Sequence, residues 1–118
     1  MISQRELERK FTALMKSVKE DDFYKIDLSN RVNCYKCQCG HITKTKDSDA
    51  GVTPFKHKCE ECGDFSTSTF YTDILPDQKP TQEWYRPSLR ELLKIRKNEP
   101  LLDHVLKGGL MSRAIINK

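Results

Sequence analysis

Cysteine and histidine crowd one stretch of this chain. It runs Tyr35-Lys36-Cys37-Gln38-Cys39-Gly40-His41, then a connector, then His57-Lys58-Cys59-Glu60-Glu61-Cys62-Gly63. All five cysteines lie in or beside it, with Cys34 just upstream. Each end repeats one device: a ring-bearing residue, a lysine, two closely spaced cysteines and a glycine. Two such hooks deliver four thiolates from tight turns, the donor set of a closed tetrahedral zinc site. The glycine after each second cysteine permits the positive φ that carries the backbone beneath a metal. The reading is therefore one structural Zn2+ held by Cys37, Cys39, Cys59 and Cys62. In the alternative, Cys34 replaces Cys39 and gives the first hook the commoner spacing. Gly40 follows Cys39 as Gly63 follows Cys62, which favours the first set. His41 and His57 are also in range, but four thiolates already close a structural site.

A catalytic zinc would need an open coordination position and an acid–base group aimed at its water. Glu60 and Glu61 sit inside the second hook, where side chains face solvent. No His-x-Glu precedes a Pro-Cys-x-x-Cys, so the zinc-deaminase arrangement is missing. No P-loop or nucleophile-triad pattern occurs either. The chain is therefore not expected to be an enzyme, and no catalytic residue is assigned. The N-terminus has no apolar signal core, and no run approaches membrane-spanning length. The expectation is a cytoplasmic protein with reduced thiols rather than disulfides.

The 118 residues are 36% hydrophobic and 32% charged, a lean core in which metal binding supplies part of the folding free energy. The formal charge of +4 falls to about +2 once four thiolates and a Zn2+ are counted. Residues 31–72 carry six Lys/Arg against five Asp/Glu, too balanced for a strongly phosphate-neutralising domain. Even so, Lys36, Lys44, Lys46, Lys56 and Lys58 fall on or near expected strands and could track phosphates. Tyr35, Phe55 or Phe70 would then stack on bases. Residues 73–118 are more basic, nine Lys/Arg against six Asp/Glu. There Arg86, Arg90, Lys94 and Lys97 share one helix side and could grip nucleic acid or an acidic protein groove.

The elements that position these groups follow from periodicity. Ser3 and Glu6 form a capping-box pattern, and Leu7, Phe11, Leu14, Met15 and Val18 recur at helical spacing, so residues 3–20 form an amphipathic helix. Phe23, Ile26 and Leu28 fit a short strand or a docked loop. Arg31 to Lys36 alternates as a strand does, Ile42-Thr43-Lys44-Thr45 is β-prone, and Phe65 to Tyr71 is a further strand. Asp47 to Gly51 is a flexible tip. Pro76, Pro80 and Asp77-Gln78-Lys79 mark an extended linker in which Trp84 and Tyr85 must anchor somewhere. Ser88 and Glu91 cap a second helix carrying Leu89, Leu92, Leu93 and Ile95. A shorter helical pattern from Leu101 to Leu106 follows Pro100 and stops at Gly108-Gly109, and the tail from Leu110 to Lys118 is apolar enough to dock.

The pattern Tyr35-x-Cys37-x-Cys39-Gly40 … Cys59-x-x-Cys62-Gly63 resembles the zinc ribbon superfamily over roughly residues 31–72. The resemblance implies a three-stranded antiparallel sheet with zinc clamped between two knuckles, and the ligand role of the four cysteines. Size, flanking helices and lysine content also resemble short zinc-ribbon proteins of tailed phages. The expected architecture is α+β: a small three-stranded antiparallel zinc ribbon flanked by an N-terminal amphipathic helix and C-terminal helices. Residues 1–30 form the helix and connector, 31–72 the ribbon, 73–87 the linker and 88–118 the helical segment. Two functions compete. One is a nucleic-acid-associated accessory factor in transcription or RNA/DNA handling. The other is a zinc-stapled adaptor or inhibitor that docks a larger protein through Trp84 and the Leu92 face.

Overall fold

The computed structural model describes residues 1–25, 31–73, 77 and 79–115. Ile26 and Leu28, Pro76 and Gln78, and the last three residues of the tail lie outside them. Helix α1 (Gln4–Glu20) starts where the Ser3 side chain accepts the Glu6 amide at 3.2 Å. Leu7 and Leu14 bury its apolar stripe. A 3-10 turn (Asp22–Lys25) follows. Strands β1 (Arg31–Lys36) and β2 (Ile42–Asp47) flank the first hook, and β3 (Lys56–Lys58) and β4 (Phe65–Asp73) flank the second. β5 (Gln82–Tyr85), α2 (Leu89–Lys94), α3 (Glu99–Leu106) and β6 (Met111–Ala114) complete the order. The Ser88/Glu91 capping box opens α2, and Asn98 caps α3.

The structure corrects the expected three-stranded ribbon. The sheet has six strands in the order β3-β4-β1-β2-β5-β6, and it is mixed. The first four strands pair antiparallel, as the hooks require. β5 then joins β2 in parallel, with Thr45 opposite Gln82 and Asp47 opposite Trp84, and β6 returns antiparallel along β5. The reason is burial. Trp84 is 4% exposed, and its indole N–H donates to Thr45 Oγ1 at 3.1 Å. Ser48 N–H to the Trp84 carbonyl (2.8 Å) and Thr81 N–H to the Lys44 carbonyl (3.0 Å) hold the ends of the pairing. Thus part of the stretch that reads as an extended linker, Gln82 to Tyr85, is sheet.

Two apolar clusters support this layout. Leu7, Leu92, Leu102 and Val105 gather the three helices, with Phe11, Leu89, Leu93 and Met111 packed around them. Tyr35, Trp84 and Leu110 form the second cluster, against the sheet. Gly108 takes φ +98° after α3, and Gly109 then bridges to Val52, tying the α3–β6 turn to the loop after β2.

The register sorts side chains into two faces, because partners across a sheet point the same way and neighbours along a strand point opposite ways. Asn33, Tyr35, Thr43, Thr45, His57, Ser66 and Trp84 share one face and are all buried. Here the hydrogen bonds chain together. Ser68 Oγ donates to Asn33 Oδ1 (2.6 Å), Asn33 Nδ2 to Tyr35 Oη (2.9 Å), and Tyr35 Oη to the Pro54 carbonyl (2.7 Å). The opposite face carries the ribbon lysines.

Candidate metal centre

Each hook is a turn closed by its own backbone. In the first, Cys37 N–H donates to the His41 carbonyl and Gly40 N–H to the Cys37 carbonyl, both at 3.0 Å. In the second, Cys59 N–H donates to the Asp64 carbonyl at 2.7 Å and Gly63 N–H to the Cys59 carbonyl at 3.1 Å. Gly40 (φ +95°) and Gly63 (φ +81°) sit in the left-handed region, as the sequence requires. A Cβ at Gly40 would meet nothing, so conformation rather than crowding selects glycine there.

β1–β2 and β3–β4 bring the two turns together. The sulfurs of Cys37, Cys39, Cys59 and Cys62 all lie within 4.8 Å of one another. Cys37 Sγ is 3.4 Å from Cys62 Sγ, and Cys39 Sγ is 3.7 Å from Cys59 Sγ. A tetrahedron of thiolates around an ion at about 2.3 Å sets its sulfurs about 3.8 Å apart. The cluster therefore has the size of a four-thiolate metal site, and these residues could hold a metal ion. Cys34 is not in the group. It is fully buried in β1, and burial pushes its thiol up, with Lys44 pulling the other way. His57 is engaged elsewhere, with Nδ1 2.7 Å from the Lys58 carbonyl oxygen and its ring against Tyr35 and Trp84. His41 Nδ1 lies 3.9 Å from Glu61 Oε1.

The electrostatics ask for a cation. The amides of Cys62 and Glu61 point at the Cys59 sulfur and bring that thiol down to about 6. Backbone amides of Cys39, His41 and Asp64 likewise favour the thiolates of Cys37, Cys39 and Cys62, yet those thiols stand above their ordinary value. Sulfurs this close cannot all carry charge without a counter-ion, and a divalent metal removes that conflict.

The other sequence-assigned residues divide. Lys36, Lys56 and Lys58 are exposed, and Lys44 and Lys46 are half-buried. The register sets all of them on one sheet face: Lys56 and Lys36 both oppose Thr67, Lys58 opposes Phe65, Lys44 opposes Cys34 and Lys46 opposes Val32. Glu83 is the acid contributed to this face by the described strands, and Arg113 holds it at 2.6 Å. Arg90, Lys94 and Lys97 are exposed on or after α2, apart from the strand array.

Two residues read as partner contacts have internal roles instead. Trp84 is core: its buried indole lies beside Tyr35 and donates to Thr45 Oγ1. Arg86 braces the loop after β2. Its amide donates to Asp49 Oδ2 at 2.8 Å, its guanidinium donates to the Ala50 carbonyl, and it stacks 5.2 Å over the Tyr24 ring. Of the aromatics read as stacking groups, Tyr35 is fully buried, while Phe55 is 80% and Phe70 43% exposed. Phe65, 74% exposed and on the lysine face, escapes notice in the sequence as one more strand residue. Its signal is the two-residue alternation that pairs it with Lys58.

No family model, curated protein or solved structure matches this chain. Among the described residues no helix is long and apolar enough to cross a membrane.

Proposed function

We propose that this is a zinc-stapled nucleic-acid-binding protein, an accessory factor in transcription or in RNA/DNA handling. The zinc ion, held by Cys37, Cys39, Cys59 and Cys62, has a structural role: it fixes the ends of β1–β2 and β3–β4 and so the register of the sheet. The observation that carries the reading is the one-sided placement of Lys36, Lys44, Lys46, Lys56 and Lys58. Ammonium groups held on one pleated surface neutralise neighbouring phosphates and release counter-ions, which scattered lysines do less well. An adaptor that docks through Trp84 and the Leu92 face is not favoured, because those side chains are 4% and 0% exposed.

The test is titration of the metal-loaded full chain into labelled DNA and RNA across a salt series. Affinity should fall steeply with salt. Changing Lys36→Gln and Lys56→Gln together should weaken binding to every sequence and reduce the log–log salt slope by roughly 1.4–1.8, about 0.7–0.9 per phosphate contact. Absence of binding at low salt, or a slope untouched by the double change, would overturn the proposal.

A further inference from the structure

We infer that the lysine face takes single-stranded rather than duplex nucleic acid, with Phe65 and Phe70 as base-stacking platforms; this rests on the nucleic-acid reading above. Three observations carry it. The first is width. The lysines come from β3, β1 and β2, and with β4 lying between β3 and β1 their surface spans four adjacent strands. Three gaps at about 4.8 Å put the outer strands about 14 Å apart before side chains are counted. A duplex major groove of about 12 Å admits a helix or a two-stranded ribbon, not this surface.

The second is the pair of phenylalanines. Phe65 sits opposite Lys58, and Phe70 opposite Cys34, whose other neighbour across the sheet is Lys44. Both rings are on the lysine face, at 74% and 43% exposure. A ring that cannot hydrogen-bond gains little from a duplex, whose exterior is phosphate and whose base planes are already stacked. Unpaired bases offer it a π-face, and any base will serve.

The third is the bulge. Between Cys34 and Tyr35 the β1–β4 register jumps from Phe70 to Ser68, leaving Thr69 unpaired. A regular ladder would set residue 69 opposite Cys34 and turn residue 70 to the tyrosine face. The extra residue therefore puts Phe70 on the same surface as Phe65. A backbone irregularity that recruits an exposed ring into a field of lysines has no use in packing that face against water.

Phosphates of an unpaired strand would lie along the lysines and its bases on the two rings, with no base edge read. The occupant is a DNA or RNA single strand of relaxed sequence preference, and the 2′-hydroxyl is where the two would part.

The experiment measures affinity of the metal-loaded full chain, at one low salt concentration, for oligo-dT, oligo-rU, mixed-sequence single strands and the matching duplexes. Single strands should bind at least tenfold tighter than duplex. Phe65→Ala, at a solvent-exposed site that leaves the fold intact, should weaken single-strand binding about fivefold or more and leave duplex binding unchanged; Phe65→Tyr should restore it. Oligo-dU, which differs from oligo-rU only at the 2′ position, is added, and the ratio of those two affinities assigns the sugar. Duplex bound as tightly as single strand, with Phe65→Ala silent on both, would overturn this inference and leave the nucleic-acid reading standing. No binding to any of these probes would overturn both.

Discussion

Cys34 and Cys39 have different surroundings. Cys34 lies within β1, fully buried, where desolvation raises its thiol. Cys39 is exposed at the tip of the first turn with its sulfur 3.7 Å from that of Cys59. What a metal needs is a thiol clustered with other thiols, as Cys39 is and Cys34 is not; burial alone does not disqualify one, since Cys37 and Cys59 are buried too. Cys39→Ser should therefore lose the metal, with most of the ~10 kcal/mol or more that structural zinc supplies to small metal domains. Cys34→Ala should keep one ion per chain and lose stability by cavity formation alone, about 1–2 kcal/mol for so small a side chain. Metal-to-protein ratios from plasma mass spectrometry after dialysis decide the matter. Metal lost from the Cys34 variant and kept in the Cys39 variant would reverse the ligand assignment. The grouping of Cys37, Cys39, Cys59 and Cys62 was legible because glycine placement repeats between the hooks. The burial of Trp84 was not, since nothing local separates an aromatic that docks on a partner from one that docks on its own sheet.

At the scale of elements, β5 is held more by tertiary contacts than by its own sequence. Gln82 and Glu83 have no strand preference, and Pro80 and Pro87 flank them as they would a linker. Parallel pairing with a strand some 40 residues away leaves no periodic trace over four residues, and β6, paired antiparallel to β5 about 30 residues away, is equally short on local signal. By contrast, α1 with its Ser3 cap, β1 and the Ser88/Glu91 capping box were readable, because their signals are local; at α1 the structure shows the Ser3 half of the box. If Trp84 anchors β5, Trp84→Ala should cost about 3–5 kcal/mol in denaturant unfolding; a surface docking residue would leave the midpoint unchanged. The β5–β6 seam adds a pH signature. Ser48 Oγ (2.7 Å) and Arg113 Nε (2.6 Å) bind the Glu83 carboxylate and hold it below its usual range. A carboxyl depressed on folding stabilises above its unfolded value, near 4.3, and that stability is lost as pH falls through the folded value. Arg113 is half exposed, so the pair is worth less than about 1 kcal/mol. Glu83→Gln should lower the melting temperature slightly at pH 7, and the difference from the parent should shrink below pH 4. A difference independent of pH would assign the loss to packing.

For the whole molecule, the near-neutral charge of residues 31–72 hides a two-sided object. The acids of that stretch, Asp47, Asp49, Glu60, Glu61 and Asp64, lie at turns and strand ends, while the lysines alternate onto one face. Composition sums charge over sequence; folding separates it in space, and only the register reveals this. An ion bridging the two hooks, as proposed, would hold the sheet at that end. β3 has three residues at a sheet edge, held by its pairing with β4, by the buried His57 ring against Tyr35 and Trp84, and by the second hook. The helix cluster of Leu7, Leu92, Leu102 and Val105 contains no hook residue. Removing the ion should therefore open the molecule unequally. After chelation at neutral pH, amides of Cys37, Gly40, Cys59 and Gly63 should exchange with deuterium first, followed by β3 and the adjoining half of β4. Amides of α1 and α3 should retain more protection. Under the proposed function, nucleic-acid binding should be lost in the same step, since Lys56, Lys58 and Phe65 ride on the segment that opens, and re-adding the ion should restore both. Exchange that is unchanged on chelation would show that hydrogen bonds and burial hold the sheet without a metal. Loss of protection everywhere at once would show that the ion holds the helices as well as the sheet.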